Sequence, residues 1–168
     1  MDMKKTDEME MIQGKQYEPY APVIRSGMEK AGKLPFQRIF IEARDGITLA
    51  GKYYHMKDGA PLILFFHGYR GTSLRDGNGI LLYAKKAGYN ALLVDQRCHG
   101  KSGGKSITFG IKERYDCMDW IRYVNRLHRE MKIYFPEYMD AFGKLDGVFT
   151  LMILKKAPFP ADILELGS

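Results

Sequence analysis

With 168 residues and a mass of 19.3 kDa, the chain has room for one domain rather than two, because a domain takes roughly 100–200 residues. Apolar residues make up 45%, charged residues 27% and aromatic residues 12%, which excludes disordered, collagen-like and low-complexity classes and is enough to fill a core. The net charge of +6 is dispersed, with six charges of each sign in residues 1–34, then +3 in 35–96, +4 in 97–144 and −1 in 145–168, so no basic stripe points to nucleic acid or a membrane surface.

Residues 1–34 are polar, rich in Met and punctuated by Pro19, Pro22, Gly27 and Gly32. They read as an N-terminal arm with a short helix over 26–31, set before a domain of residues 35–168. Two β-prone stretches, 37–43 and 47–54, flank Asp45-Gly46, a dipeptide that favours tight hairpin turns, and they predict an antiparallel pair. Leu62-Ile63-Leu64-Phe65-Phe66 is a continuous apolar run bounded by turn residues, the pattern of a strand buried on both faces. A helix is expected over 79–87, where Ile80, Leu81, Ala84 and Ala87 share a face and Gly88 stands where the helix ends. Asn90-Ala91-Leu92-Leu93-Val94-Asp95 repeats the buried-strand pattern. Strand, helix and strand in this order need a parallel pair with a right-handed crossover. A longer helix is expected from Ile111 to about Arg129, with Gly110 and Glu113 at capping positions and Cys117, Trp120, Ile121, Val124 and Leu127 as its apolar stripe. Lys132-Ile133-Tyr134-Phe135 then reads as a third parallel strand. The alternation predicts an α/β fold: a mostly parallel sheet with an antiparallel N-terminal hairpin and helices on both faces.

No window approaches the roughly 20 consecutive apolar residues of a membrane span, and the first eight residues lack the apolar run of a signal peptide, which places the chain in the cytoplasm by default. Cys98 and Cys117 have no metal-type spacing and read as free thiols. His55, His99 and His128 show no ligand spacing with other candidates, so no metal and no cofactor is implied.

In open parallel sheets, ligands gather at the carboxyl ends of the strands. That singles out His67-Gly68-Tyr69-Arg70-Gly71, the stretch from Asp95-Gln96-Arg97 to Gly103-Gly104, and Pro136-Glu137-Tyr138-Met139-Asp140. With the Asp45-Gly46 hairpin, Gly88-Tyr89-Asn90 leading into Asp95, and the Gly100-Lys101-Ser102 turn, residues 34–127 resemble the α/β-hydrolase family. The likeness is to its bacterial serine-hydrolase branch, which includes the serine aminopeptidase-like proteins. The resemblance implies cleavage of an ester or amide bond through an acyl-enzyme, with the Tyr69 backbone N–H as one oxyanion-hole donor and Gly68 allowing close backbone approach to substrate. It assigns His67, Gly68, Tyr69 and Met139 to the oxyanion and substrate pocket. The family's base comes late in the chain, so His67 reads as a structural histidine of the turn. Asp95 and Arg97 look like part of a catalytic pair but fit better as loop-shaping residues, the carboxylate bonding amides and the arginine bridging loops. Gly100 and Ser102 belong to the same structural loop, and the glycines beside Ser102 lack the Walker arrangement of a phosphate cradle.

A serine hydrolase of this kind carries Gly-x-Ser-x-Gly at a strained turn between strand and helix. At the corresponding place Tyr138 occupies the serine position, with Pro136 and Asp140 at the glycine positions, while Met139 and Ala141 keep the flanking pattern. A phenol with a pKa of about 10 has no base here to activate it, and Ser73, Ser102 and Ser106 have no partner base that the sequence identifies. No catalytic residue is therefore assigned, and the sequence ends at Ser168 before the strands that carry the family's acid and base. Three expectations follow: a truncated or degenerate, inactive hydrolase; a non-catalytic binding or interaction module on a hydrolase scaffold; or a decaying reading frame. The expected ligand of an active form is a small ester or amide. The uncovered sheet edge at the Phe135 strand is expected to favour self-association.

Overall fold

The apolar runs between residues 37 and 95 condense into one four-stranded sheet in the computed structural model, which describes residues 15–134, with side chains through residue 127. The strands are β1 (Gln37–Glu42), β2 (Thr48–Tyr54), β3 (Leu62–Phe66) and β4 (Asn90–Asp95), in the spatial order β1-β2-β4-β3. β1 and β2 form the expected hairpin: the Ala43 amide donates to the Ile47 carbonyl at 2.9 Å and the Gly46 amide to the Ala43 carbonyl at 2.8 Å. β2 returns antiparallel to β4, and β3 lies parallel to β4 with Phe66 opposite Val94. Among the described residues the sheet is thus mixed, its parallel pairing carried by β3 and β4.

Every residue of β4 is buried, and the period of two sends its side chains alternately to two cores. Ala91 and Leu93 join Ile63, Leu74, Leu81 and Ala84 under helices α1 (Ala21–Gly32) and α2 (Ser73–Ala87), whereas Leu92 and Val94 join Leu49, Leu64 and Trp120 under α3 (Glu113–Tyr134). Helices therefore cover both faces, as the alternation predicts.

Each helix differs from its sequence expectation for a local reason. α1 covers twelve residues, not six, and is preceded by a 3-10 turn over Lys15–Tyr20; its Met28 and Ala31 are fully buried, so part of the arm is core. α2 starts six residues earlier than expected, at Ser73, because the Thr72 hydroxyl accepts the Arg75 amide at 3.1 Å as an N-cap. Gly77 and Gly79 lower the helical signal of that stretch, yet a side chain at Gly77 would press on the Phe65 ring at 3.0 Å, so close helix–sheet packing calls for its smallness. α2 ends at Gly88 with φ of 72°, as its C-terminal position requires. α3 corrects the expected third strand: Lys132, Ile133 and Tyr134 belong to this helix. Nothing between Glu113 and Tyr134 breaks a helix, and Phe135, the last residue of the expected strand, lies outside the described residues. Among the described residues no helix is long and apolar enough to cross a membrane.

Candidate functional site

β3 and β4 end side by side, so the segments after Phe66 and Asp95 face each other. His67 ties them together. Its Nδ1–H donates to the Gly68 carbonyl at 2.8 Å, its Nε2 accepts the Gln96 amide at 3.1 Å, and the Gln96 side-chain amide donates back to the His67 carbonyl. The ring is 2% exposed, and burial pushes its pKa below the ordinary histidine value. It is thus a neutral imidazole with both nitrogens engaged, and neither is left to take a proton from a substrate.

The turn that follows closes when the Gly71 amide donates to the Gly68 carbonyl at 3.0 Å, with Arg70 in left-handed backbone at φ of 54°. Gly71 is required by crowding: a Cβ there would lie 2.8 Å from the Gly68 carbonyl oxygen and 3.0 Å from His67 Nδ1, and would overlap the Asp76 carboxylate. At Gly68 a Cβ would meet nothing within 4 Å, so the turn has open space beside it. Tyr69 sits at the tip, and among the described residues its amide has no hydrogen-bond acceptor.

The loop after β4 is organised by Asp95 and Arg97. The buried Asp95 carboxylate accepts the Ser73 hydroxyl at 2.6 Å and the Lys101 amide at 3.1 Å, with the Arg38 guanidinium at 3.4 Å. A Cβ at Gly100, where φ is 49°, would enter that carboxylate, so only glycine lets the loop close on Asp95. The Ser102 hydroxyl accepts the Ala50 amide at 2.8 Å and donates to the Asp95 carbonyl, bridging two residues that face each other across β2 and β4. Arg97 forks onto Asp116 with two bonds of 2.6 Å and reaches Asp45 at 3.1 Å, linking the loop to α3 and to the hairpin turn. The Asp116 bonds raise the Arg97 pKa further, and the Arg97 bond lowers that of Asp45; burial pushes the Asp116 carboxyl upward against the pull of the guanidinium.

The segment leading into α3 is pinned by Glu113, whose carboxylate accepts the Thr108 amide and the Gly110 amide at 2.8 Å and the Thr108 hydroxyl at 2.6 Å. Burial favours a raised Glu113 pKa, but these bonds outweigh it and hold the carboxyl below the usual range. The pinned segment leaves a cavity of about 180 Å³ between the two strand ends, lined among others by Gly68, Tyr69, His99, Ile107, Phe109 and Glu113. The Phe109 ring, in left-handed backbone at φ of 49°, lies 5.2 Å from that of Tyr69 at the rim.

The structure thus gathers His67, Gly68, Tyr69, Asp95, Arg97, Gly100 and Ser102 at one end of the sheet. Tyr138 and Met139 lie outside the described residues. Two serines weighed as substitute nucleophiles are spent on structure, since Ser73 and Ser102 are buried and bonded to Asp95. The Cys117 thiol, pushed up to about 12 by burial, stays protonated at neutral pH. Among the described residues no three His, Cys, Asp or Glu side chains are placed to hold a metal ion. Sequence reasoning missed His99, Ile107 and Phe109 as cavity walls and Asp45 and Asp116 as the partners of Arg97. Only the position of residues 99–109 after a strand end hinted at the first three.

No protein-family profile matches the chain, and no curated protein matches it. Among solved structures it is similar to an esterase of Pyrococcus furiosus in two crystal forms, at 27% and 26% identity and a TM-score of 0.50 in each. These matches cover 66% of this chain and only 39% and 41% of the esterase, so the chain spans well under two thirds of that protein's length. It is also similar in fold to the alpha/beta hydrolase GrgF of a Penicillium species, at 20% identity and a TM-score of 0.50, over 54% of this chain and 32% of that one.

Proposed function

We propose that this chain, whose described part is an α/β-hydrolase fold, carries the acyl-binding wall of an ester or amide hydrolase site and is itself catalytically inactive. The observation that carries the reading is the Tyr69 amide: it stands in a turn at the carboxyl end of β3, bonds no acceptor among the described residues, and borders a cavity. A preorganised amide aimed at a developing oxyanion is worth about 3–4 kcal/mol of barrier, and Tyr69 is exposed at the tip of its turn. The likeness to an esterase supports the hydrolase class. The inactivity rests on the sequence, where Tyr138 stands at the nucleophile position and His67, two residues before Tyr69 in the chain, has both nitrogens bonded.

The cavity favours a second reading as well, a non-catalytic binding module, because residues 68–113 supply its described walls. Incubating the full chain with a fluorophosphonate and with an activated ester tests activity. No labelling and no burst of alcohol are expected, and stoichiometric labelling would refute inactivity. Ligand-dependent stabilisation without turnover would favour the binding module.

A further inference from the structure

Lys132, Ile133 and Tyr134, the stretch expected as a third parallel strand, belong to α3, so among the described residues β3 ends the sheet order β1-β2-β4-β3 as an edge strand. The direction of its backbone groups follows from its pairing with β4. The Asn90 amide donates to the Pro61 carbonyl at 2.9 Å, and Leu62 stands opposite Asn90. In a parallel ladder alternate residues turn both backbone groups toward the same neighbour, so Pro61, Ile63 and Phe65 serve β4. Leu62, Leu64 and Phe66 present their N–H and C=O groups on the outer side, where they form no hydrogen bond among the described residues.

Proteins usually blunt such an edge with a lysine, a proline or a bulge. β3 has none of these, since Leu62–Phe66 is apolar throughout. Ile63 and Phe65 pack into the core under α1 and α2, and Leu62, Leu64 and Phe66 into the one under α3, yet Leu62, Phe65 and Phe66 are only half-buried. The edge thus combines unmet backbone donors and acceptors with apolar side chains left partly uncovered on both faces.

We infer that β3 pairs antiparallel with β3 of a second copy of this chain, about a two-fold axis at Leu64, joining the two sheets edge to edge. That register sets Leu62 against the partner's Phe66 and Leu64 against the partner's Leu64, each pair exchanging both its hydrogen bonds. It is the register that pairs every outward-facing residue of β3. On the opposite face Ile63 meets the partner's Phe65, an aliphatic–aromatic pair across the joint. The flanks agree in charge: Asp58 precedes β3 and Arg70 follows it, both exposed, and the same register counts Asp58 against the partner's Arg70. A pairing of identical patches closes on itself, so assembly stops at the dimer.

Sedimentation of the full chain from about 1 μM to about 1 mM, the span of moderate to weak affinities, tests the pairing. The mass is expected to rise with concentration from 19.3 kDa to twice that value and no further. Amide hydrogen exchange locates the contact. Leu62, Leu64 and Phe66 should exchange slowly in the dimer and fast on dilution, whereas Ile63 and Phe65, bonded to β4, stay slow at both concentrations. Leu62→Pro removes an outward N–H without touching the β3–β4 ladder, and it should weaken dimerisation by at least about tenfold. A mass that does not change with concentration, growth beyond the dimer, or a dimer in which the outward amides stay fast overturns the inference. So does Leu62→Pro dimerising as the parent does. Slow exchange of the outward amides in a monomer would give the edge to residues 135–168 of the same chain and also overturns it. If Leu62→Pro does not fold, the exchange pattern of the parent decides. None of these outcomes depends on the reading of Tyr69.

Discussion

Replacing Arg97 with methionine keeps most of the side-chain volume and removes the guanidinium that holds three parts of the fold together. Its fork meets Asp116 at 2.6 Å on both arms, and the two side chains are only 5% and 6% exposed, so the pair is cut off from water. Asp45, the third member, is 32% exposed at the side chain. Removing one partner of a buried pair leaves an uncompensated charge and costs about 3–5 kcal/mol, a large share of the roughly 5–15 kcal/mol that stabilises a typical domain. Arg97→Met should therefore lower the urea midpoint strongly and Asp45→Asn far less. The pH dependence gives a sharper test. In Arg97→Met, Asp116 keeps the burial that raises its pKa and loses the partner that opposes it, so its folded-state pKa rises further above the unfolded value. A raised pKa means that the folded chain takes up its proton first, so the deficit of the variant should shrink as pH falls from 7 to about 5. The fluorescence of Trp120, the single tryptophan and fully buried, reports unfolding. Equal losses in Arg97→Met and Asp45→Asn, or a deficit that does not change with pH, would refute the account of this cluster.

His67 has its pKa lowered by burial, so the stability it contributes is intact above the unfolded value of about 6.5 and is lost as pH falls through the folded one; denaturation curves should show a weaker acid slope in His67→Gln than in the parent between pH 7 and about 5. Gly100→Ala drives a Cβ into the Asp95 carboxylate at a φ of 49°, and the backbone strain with overpacking should cost roughly 2–5 kcal/mol, read as a lowered urea midpoint. Cys98 is held at φ of 66°, so Cys98→Gly should be more stable than Cys98→Ala by about 1 kcal/mol, relief of left-handed strain exceeding the added chain entropy; thermal melts giving the reverse order would remove strain at Cys98 from the picture.

The features legible in the sequence are those written in contiguous residues. Leu62 to Phe66 and Asn90 to Asp95 announce buried strands because burial on both faces leaves no polar position to alternate with. The Asp45-Gly46 hairpin is legible because Gly46 supplies the φ of 79° its turn needs. The expected third strand fails for a complementary reason. Ile133 and Tyr134 are β-prone by type, but a helix already nucleated at Glu113 adds one hydrogen bond per residue and continues until something stops it. No glycine or proline between Arg129 and Tyr134 marks a stop, so the expected helix runs on through the stretch that reads as a strand. The early start of α2 was hidden in the same way, since Gly77 looks like a helix breaker until the Phe65 ring beneath it is known.

In the site, the boundary between legible and hidden follows sequence distance. His67, Gly68 and Tyr69 are adjacent, so their turn can be read as a unit, whereas Arg97 meets Asp116 across 19 residues and Asp45 across 52, with nothing local to announce either pairing. Those distant pairings set the cavity. Arg97 holds the β4 loop against α3, Glu113 pins residues 108–110 at the rim, and His67 fixes the Tyr69 turn to Gln96. All of these groups lie between residues 45 and 116, and the Tyr138 position lies beyond them. The groups that shape the described walls of the cavity thus lie in a stretch separate from the Tyr138 position, and their hydrogen bonds are made among themselves. An equilibrium binding titration, rather than an activity assay, therefore interrogates what residues 45–116 build.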